Sequence, residues 1–490
     1  MKVLLINAEP YHIKHKSAIP LGLLSIATFL KKHGHEVKVY DRTVNKTSLK
    51  KQLKVFEAEI VGISAPSFKA FDDAVKVSHE IKKRDIPLVW GGAISSLVPE
   101  IVLKTGLVDF VVMGEGEITF LDLIEKVGMG AGFESIDGLA YLKDGEVVIN
   151  KDRDFADLSD LPIIDFSFVN PEDYFVENFG CKKMLHIYAS KGCISKCTYC
   201  YNPYYSKCVW RPRPAQYYLS EIKYLIENHG MDGVCFADDL LVPNKKLLLE
   251  FVQGIIDSGL DFIWGGEFRA DLDAKESLRL LYDSGCRWLY FGIESGSPKR
   301  QDLIKKKLNL EKAKDLVSHC AKVGIATSAS FIMNYPDSDV KELQETISYM
   351  NDLGADILLA SFYGPIPKSE IYEDLLEKGK MEAPKNYKEW RKIKMMDLIG
   401  ENFSDIPLKD LKVISAHYLM RNFLWKDPQS EKNSRLNFKK AFMRVLDLIA
   451  KGGLDSIKLL FIAAGEFLHI LYYAKAYPGI LKKYSLKGKE

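Results

Sequence analysis

The stretch Cys193-Ile194-Ser195-Lys196-Cys197-Thr198-Tyr199-Cys200 places three cysteines within eight residues, spaced C-x3-C-x2-C and followed by Tyr201-Asn202-Pro203. Such spacing lets three thiolates wrap one face of an iron–sulfur cube. A cube normally takes four thiolates, one per iron. Three leave one iron open to another ligand, which suits an enzyme and not a simple electron carrier. Zinc is the rival reading. Its tetrahedral sites usually come as two C-x2-C pairs or with histidines at set distances, and no histidine lies within six residues of Cys193 or Cys200.

The elements that must position this loop alternate in type. Apolar runs at 185–189, 233–237, 262–265, 288–293, 325–332 and 357–362 read as strands, and helical periods fill the segments between them. Six β/α units make a partial barrel over 181–395, whose active site belongs at the carboxyl ends of the strands. The cysteine loop follows the first of those ends. Asp238-Asp239 ends the second, Glu267 and Arg269 the third, and Glu294-Ser295-Gly296 the fourth. Carboxylates and an arginine converging there could hold an ammonium group, ribose hydroxyls and a carboxylate.

An earlier alternating series, at 3–6, 37–40, 60–64, 87–90 and 108–113, predicts a doubly wound parallel sheet over 1–150 with helices on both faces. Ligands of such sheets sit beyond the strand ends. There the chain has Ser64-Ala65-Pro66-Ser67, Gly91-Gly92-Ala93 and Gly114-Glu115-Gly116-Glu117, whose glycines let backbone come close to a bulky ligand. No G-x-G-x-x-G follows the first strand, which argues against a dinucleotide. Residues 137–149 read as a small hairpin in a hinge region and 151–180 as a linker. From 396 to 490 the β/α rhythm gives way to amphipathic helices over 408–425, 438–450 and 456–474.

The cysteine motif, with Tyr199 as its aromatic, resembles the radical S-adenosylmethionine (SAM) signature. The first 150 residues resemble the cobalamin-binding domain fused to many such enzymes, with Pro20-Leu21-Gly22-Leu23 and Gly34-His35-Glu36-Val37 adding to the likeness. The resemblance implies that Cys193, Cys197 and Cys200 hold a 4Fe-4S cluster whose open iron is chelated by SAM, with Tyr199 against the adenine. It puts Asp238 where the family has its usual Gly-Gly-Glu segment and Glu294 near the ribose. Glu267 and Arg269 complete the SAM set. Ser64, Gly91, Gly92, Gly114 and Glu115 are the expected cobalamin contacts. The D-x-H-x-x-G motif is absent, so no protein imidazole is expected on cobalt; His12, His15, His33 and His35 read as surface or helix-end residues. Met333-Asn334-Tyr335-Pro336 stands where relatives tend to have Gly-x-Pro-Gly-Glu.

At 490 residues, 47% hydrophobic and 27% charged, with a net charge of +2, the chain suggests two or three domains and gives no reason to expect nucleic acid. No window offers eighteen uninterrupted apolar residues, and the cysteines outside the cluster fit a reducing, cytoplasmic setting. Lysines near the C-terminal helices leave room for peripheral membrane contact or a lipid substrate. The expected activity is anaerobic: reductive SAM cleavage, hydrogen abstraction from an unactivated carbon and methylation from cobalamin. Flavodoxin or ferredoxin would supply electrons to act on a small-molecule or lipid substrate. Radical cyclisation or ring rearrangement is the alternative, and a cobalamin or iron–sulfur sensor the non-enzymatic one. A methylthiotransferase would need three further cysteines in the first domain, and residues 1–150 contain none.

Overall fold

The computed structural model describes residues 1–8, 18–45, 47–65, 67, 70–130, 132–390, 402–423 and 476–484. Expected features at His12, His15, Pro66, 438–450 and 456–474 lie outside them. Two seven-stranded sheets carry the architecture.

The first sheet comprises β1 (Lys2–Asn7), β2 (Glu36–Asp41), β3 (Ile60–Ser64), β4 (Leu88–Gly91), β5 (Phe110–Val112), β6 (Leu139–Lys143) and β7 (Glu146–Ile149), in the order β2-β1-β3-β4-β5-β6-β7. The first five run parallel, with Val3 beside both Val37 and Ile60. Alternation along β1 explains why the run is apolar throughout: Val3 and Leu5 face one core, with the helices Leu21–Lys32 and Gly116–Val127, while Leu4 and Ile6 face another, with Leu49–Phe56 and Phe71–Lys82. The hairpin expected as part of a hinge is instead an extension of this sheet. β6 pairs antiparallel with β5, Phe110 beside Tyr141 and Val112 beside Leu139, which buries Leu139, Ala140 and Tyr141 and covers an otherwise open edge.

The second sheet is a curled half-barrel. β8 (Val176–Asn178) and β9 (Cys181–Ile187) are antiparallel, and a two-residue pair, β10 (Ser190–Lys191) with β11 (Arg211–Pro212), stands apart. β12 (Gly233–Phe236), β13 (Ile263–Phe268), β14 (Cys286–Glu294), β15 (Ala326–Ile332) and β16 (Ile357–Ser361) give the order β16-β15-β14-β13-β12-β9-β8. Its crossover helices carry their own start signals: the side chains of Asn244, Asn309 and Asp339 cap the helices Lys245–Asp257, Leu310–Val323 and Val340–Leu353. The edge strand β16 is covered by the helix Leu408–Phe423. There the Asn422 side chain accepts from Leu358 N–H at 3.0 Å and donates to its carbonyl at 2.7 Å.

Candidate active site

The cysteine loop leaves β9 and is closed at its base by β10 and β11, where Ser190 faces Pro212 and Lys191 faces Arg211. The turn out of this stem depends on Gly192, at φ 86°. A Cβ there would stand 2.2 Å from the Val209 carbonyl oxygen, so no side chain fits. Asp238, just past β12, clamps the start of the loop: its carboxylate accepts from Ala189 N–H at 3.1 Å and from the Ser190 hydroxyl at 2.6 Å. Burial pushes this carboxyl up to about 7, against those same hydrogen bonds.

The three cysteines share one electrostatic site, since the charge of Cys193 is felt by both Cys197 and Cys200. Ser195 N–H approaches Cys193 Sγ at 3.5 Å and Asn202 N–H approaches Cys200 Sγ at 3.4 Å, so backbone dipoles face two of the sulfurs. Burial raises Cys200 to about 12 and raises Cys197. Thiolates here therefore need cations, and Lys306 and Arg269 stand close enough to be felt. Among the described residues no three His, Cys, Asp or Glu side chains converge tightly enough for a single metal ion. A cube, whose thiolates sit on separate irons, asks for a wider set and suits these residues.

Beside the cysteines lies a buried charged centre. Lys306 Nζ is 3.3 Å from Glu294 Oε1 and donates to the Tyr199 hydroxyl at 3.3 Å. Burial would lower Lys306, but Glu294, Cys197 and Glu267 outweigh it and raise the ammonium above its usual range. Glu294 ends β14 at φ 71°, where a bulge with Gly292 turns its side chain inward, a strained backbone of the kind found at working sites. Glu267 lies inside β13 and its carboxyl has no hydrogen-bond partner among the described residues; burial pushes it up to about 8, against the pull of Lys306. Tyr199 meets Tyr335 edge-on at 5.9 Å, so Tyr335, from the segment that departs from the family pattern, forms part of the wall. Arg269 grips Asp271 through two nitrogens at 2.9 and 3.0 Å and reaches the Ser195 hydroxyl and the Lys306 carbonyl, both at 3.2 Å. It thereby ties the cysteine loop to the 304–307 turn.

A cavity of about 350 Å³ joins the two sheets. All five expected cobalamin contacts, Ser64, Gly91, Gly92, Gly114 and Glu115, line it, as do Asp238 and Asp239 from the barrel. Its floor is apolar, with Leu5, Leu23, Ile26, Val112 and Phe120. A Cβ on Gly114 would have nothing within 4 Å and one on Gly91 would make only ordinary contact, so the glycines leave open space that a bulky ligand can fill. Charges cross the same gap. Lys191 donates to Glu117 at 3.1 Å, Glu117 accepts from the Ser25 hydroxyl at 2.6 Å, Arg211 pairs with Glu115, and the Tyr205 hydroxyl donates to the Gly114 carbonyl at 3.0 Å. Burial alone would raise Glu117, but Lys191 and the Ser25 hydroxyl hold it below its usual value. Of the histidines read as surface or helix-end residues, His33 bonds the Phe29 carbonyl at the helix end and His35 contacts the chain N-terminus.

Sequence reasoning missed Lys306, Lys191 and Arg211 as site residues, and named Asp239 and Glu117 only as members of strand-end loops. Asp239, not Asp238, is the aspartate whose charge is felt by Cys200, Tyr201, Tyr205 and Glu267.

The two halves define the class. The B12 binding domain family matches residues 15–124 and the Radical SAM superfamily matches residues 187–350. The chain belongs to the cobalamin-binding radical SAM enzymes, whose cofactors are cobalamin, SAM and a 4Fe-4S cluster. Among its relatives is an uncharacterized methyltransferase of Pyrococcus horikoshii, 26% identical over 83% of this chain and 89% of that protein. Another is the cytidylyl-2-hydroxyethylphosphonate methyltransferase of Streptomyces wedmorensis, 26% identical over 77% of this chain and 82% of that protein. The fold is shared with the radical SAM methyltransferase TsrM of Kitasatospora setae at a TM-score of 0.65, with 19% identity over 78% of this chain and 77% of that one.

Proposed function

We propose that this enzyme methylates an unactivated carbon, cleaving SAM reductively to a 5′-deoxyadenosyl radical that abstracts the hydrogen and taking the methyl group from cobalamin. The observation that carries the reading is the single cavity opening onto the strand ends of both sheets. The glycine-lined strand ends of the first sheet and the base of the cysteine loop, Lys191 and Gly192, border that one space. Relatives named as methyltransferases support methyl transfer, and relatives named as anaerobic magnesium-protoporphyrin IX monomethyl ester cyclases keep ring closure as the second reading.

Cys193, Cys197 and Cys200 would hold the cluster, which supplies the electron for C–S cleavage once SAM is bound. Lys306 offers the buried cation for the SAM carboxylate, and Asp239 and Glu267 offer acceptors for its ammonium. Glu294 would take the ribose hydroxyls and Tyr199 would lie against the adenine. Asp238 acts at one remove, by fixing the loop that presents the cysteines. The apolar floor and the Lys191–Glu117 pair border the space that the cofactors would share.

Anaerobic reconstitution tests this. Release of 5′-deoxyadenosine under reductant together with a product heavier by one methylene unit is the expected result. 5′-deoxyadenosine with a product of unchanged carbon count points to cyclisation, and no SAM cleavage overturns the reading.

A further inference from the structure

We propose that the substrate is a compact, water-soluble ring compound that stacks on Trp288 inside the half-barrel; this deepens the proposed function and rests on it. One face of the second sheet packs on its crossover helices through Leu185, Val234, Trp264, Leu289, Phe291 and Ala329. The other face turns into the half-barrel, and register sets its residues side by side. His186 lies beside Cys235, Cys235 beside Gly265, Gly265 beside Trp288, and Tyr290 between Glu267 and Ser328. A closed barrel fills such a space with branched aliphatic side chains. Here the middle of the face carries glycine, serine and aromatic residues instead. His186, Cys235, Trp288 and Tyr290 stay partly exposed within strands whose neighbouring residues are buried.

Trp288 is held as a platform. Its Nε1–H donates to the Ser328 hydroxyl at 2.8 Å, and the Phe179 ring is stacked on it at 4.6 Å with the planes 18° apart. Gly265 admits the indole, since a Cβ there would stand 2.6 Å from it. Phe179 comes from the turn between β8 and β9, where its φ of 47° is a rare backbone for a bulky residue. Strain of this kind persists where it serves a task, and here it backs the indole at the amino end of the half-barrel.

From Trp288 to Gly292 the strand β14 rises about 13 Å. A Cβ on Gly292 would stand 2.9 Å from Lys306 Nζ, so the buried charged centre lies at that level. The height between platform and charged centre limits the substrate to a compact molecule. Burial pushes the His186 imidazole below its usual value, so it stays neutral, and it has no hydrogen-bond partner among the described residues. A polar group so placed costs free energy until a ligand supplies its partner. The apolar members of this face, Ile263, Ile357 and Leu359, are divided between β13 and β16 and give no continuous bed for an acyl or isoprenoid chain. Such a chain would strip water from His186 and the serines without replacing it.

The test takes its ligand from aqueous and chloroform extracts of the cells that make the enzyme. Each extract is added to reconstituted enzyme already loaded with cobalamin and SAM, and compounds retained on ultrafiltration are identified by mass spectrometry. The wild type should retain a ring compound from the aqueous extract. Trp288→Ala should bind that compound about tenfold more weakly in equilibrium dialysis, with unchanged iron content, and Trp288→Phe should bind it within about threefold of the wild type. Retention from the chloroform extract alone, no retention from either extract, or equal binding by Trp288→Ala overturns the proposal. With trideuteromethyl SAM and dithionite the retained compound should take up the label. Retention without label supports the ring platform and overturns methyl transfer instead.

Discussion

At the scale of single residues, the site works by surrounding buried charges with few neutralising partners. Glu267 shows the consequence. Its carboxyl is raised from 4.5 to about 8 by burial, so in the protein without SAM it keeps its proton near neutrality. A group whose folded pKa lies above its unfolded one favours folding fully below the lower value and loses that contribution as pH rises through the higher. The cofactor-free protein should therefore lose stability between pH 4.5 and 8, and Glu267→Gln should flatten the slope in denaturant titrations across that interval. A wild type as stable at the top of the interval as at the bottom would remove this account. The cysteines divide more sharply. Cys197→Ala should abolish cluster absorbance and SAM cleavage. Cys208→Ala should leave both intact, because the Cys208 thiol is turned to the Ser195 carbonyl at 3.7 Å and lies outside the trio.

At the scale of elements, the loop is only as good as its stem. Gly192→Ala puts a methyl group against the Val209 carbonyl and forces an unfavourable φ, at a cost of about 1–3 kcal/mol. Iron content after reconstitution should fall with it, as measured by iron and sulfide assay. The Lys191–Glu117 pair crosses from the stem to the first sheet, with Glu117 buried and Lys191 half-buried. Lys191→Met leaves Glu117 unpaired and should cost about 3–5 kcal/mol in chemical denaturation, most of it recovered in Lys191→Met/Glu117→Gln. How much of this could be read from sequence follows from its range. The parallel strands were legible because burial on both faces makes them continuous apolar runs, and the cysteine trio because its three members fall within eight residues. The β10–β11 stem was not, since two paired residues leave no periodicity. Lys306 was hidden inside Lys305-Lys306-Lys307, which reads as a solvated run, although only its middle member turns inward. Asp238 and Asp239 are the same letter twice; which one clamps the backbone and which faces the cysteines is decided by side-chain direction at a strand end, a fact of the fold.

At the scale of the molecule, the two halves share apolar packing: one buried cluster runs from Val3 and Leu24 through Phe166 and Tyr174 to Ile187, and another joins Ile63 and Trp90 to Tyr372 and Trp390. Polar contacts span the cavity left between the sheets, so a ligand filling that cavity should act as a structural member as well as a reactant. A ligand that binds only the folded state stabilises it by about 2.7 kcal/mol at a hundredfold excess over its dissociation constant. Cobalamin should accordingly raise the melting temperature of the reconstituted enzyme in a concentration-dependent way. Gly91 separates this effect from the Lys191–Glu117 pair, because it borders the cavity without a positive φ, and a Cβ there meets only Val112, its carbonyl oxygen at 3.7 Å and its Cβ at 3.9 Å, both ordinary contacts. Gly91→Leu should fold with nearly the wild-type melting temperature when cobalamin is absent, since its branch extends into open space. Cobalamin affinity, measured by equilibrium dialysis, should fall at least tenfold and the cobalamin-dependent rise in melting temperature should disappear at the same ligand concentration. Iron content should not change, because the cysteine loop stands across the cavity from this strand end. Retained cobalamin affinity in Gly91→Leu would mean that the space between the sheets serves another occupant, and with it the assignment of the methyl donor to this cavity would go.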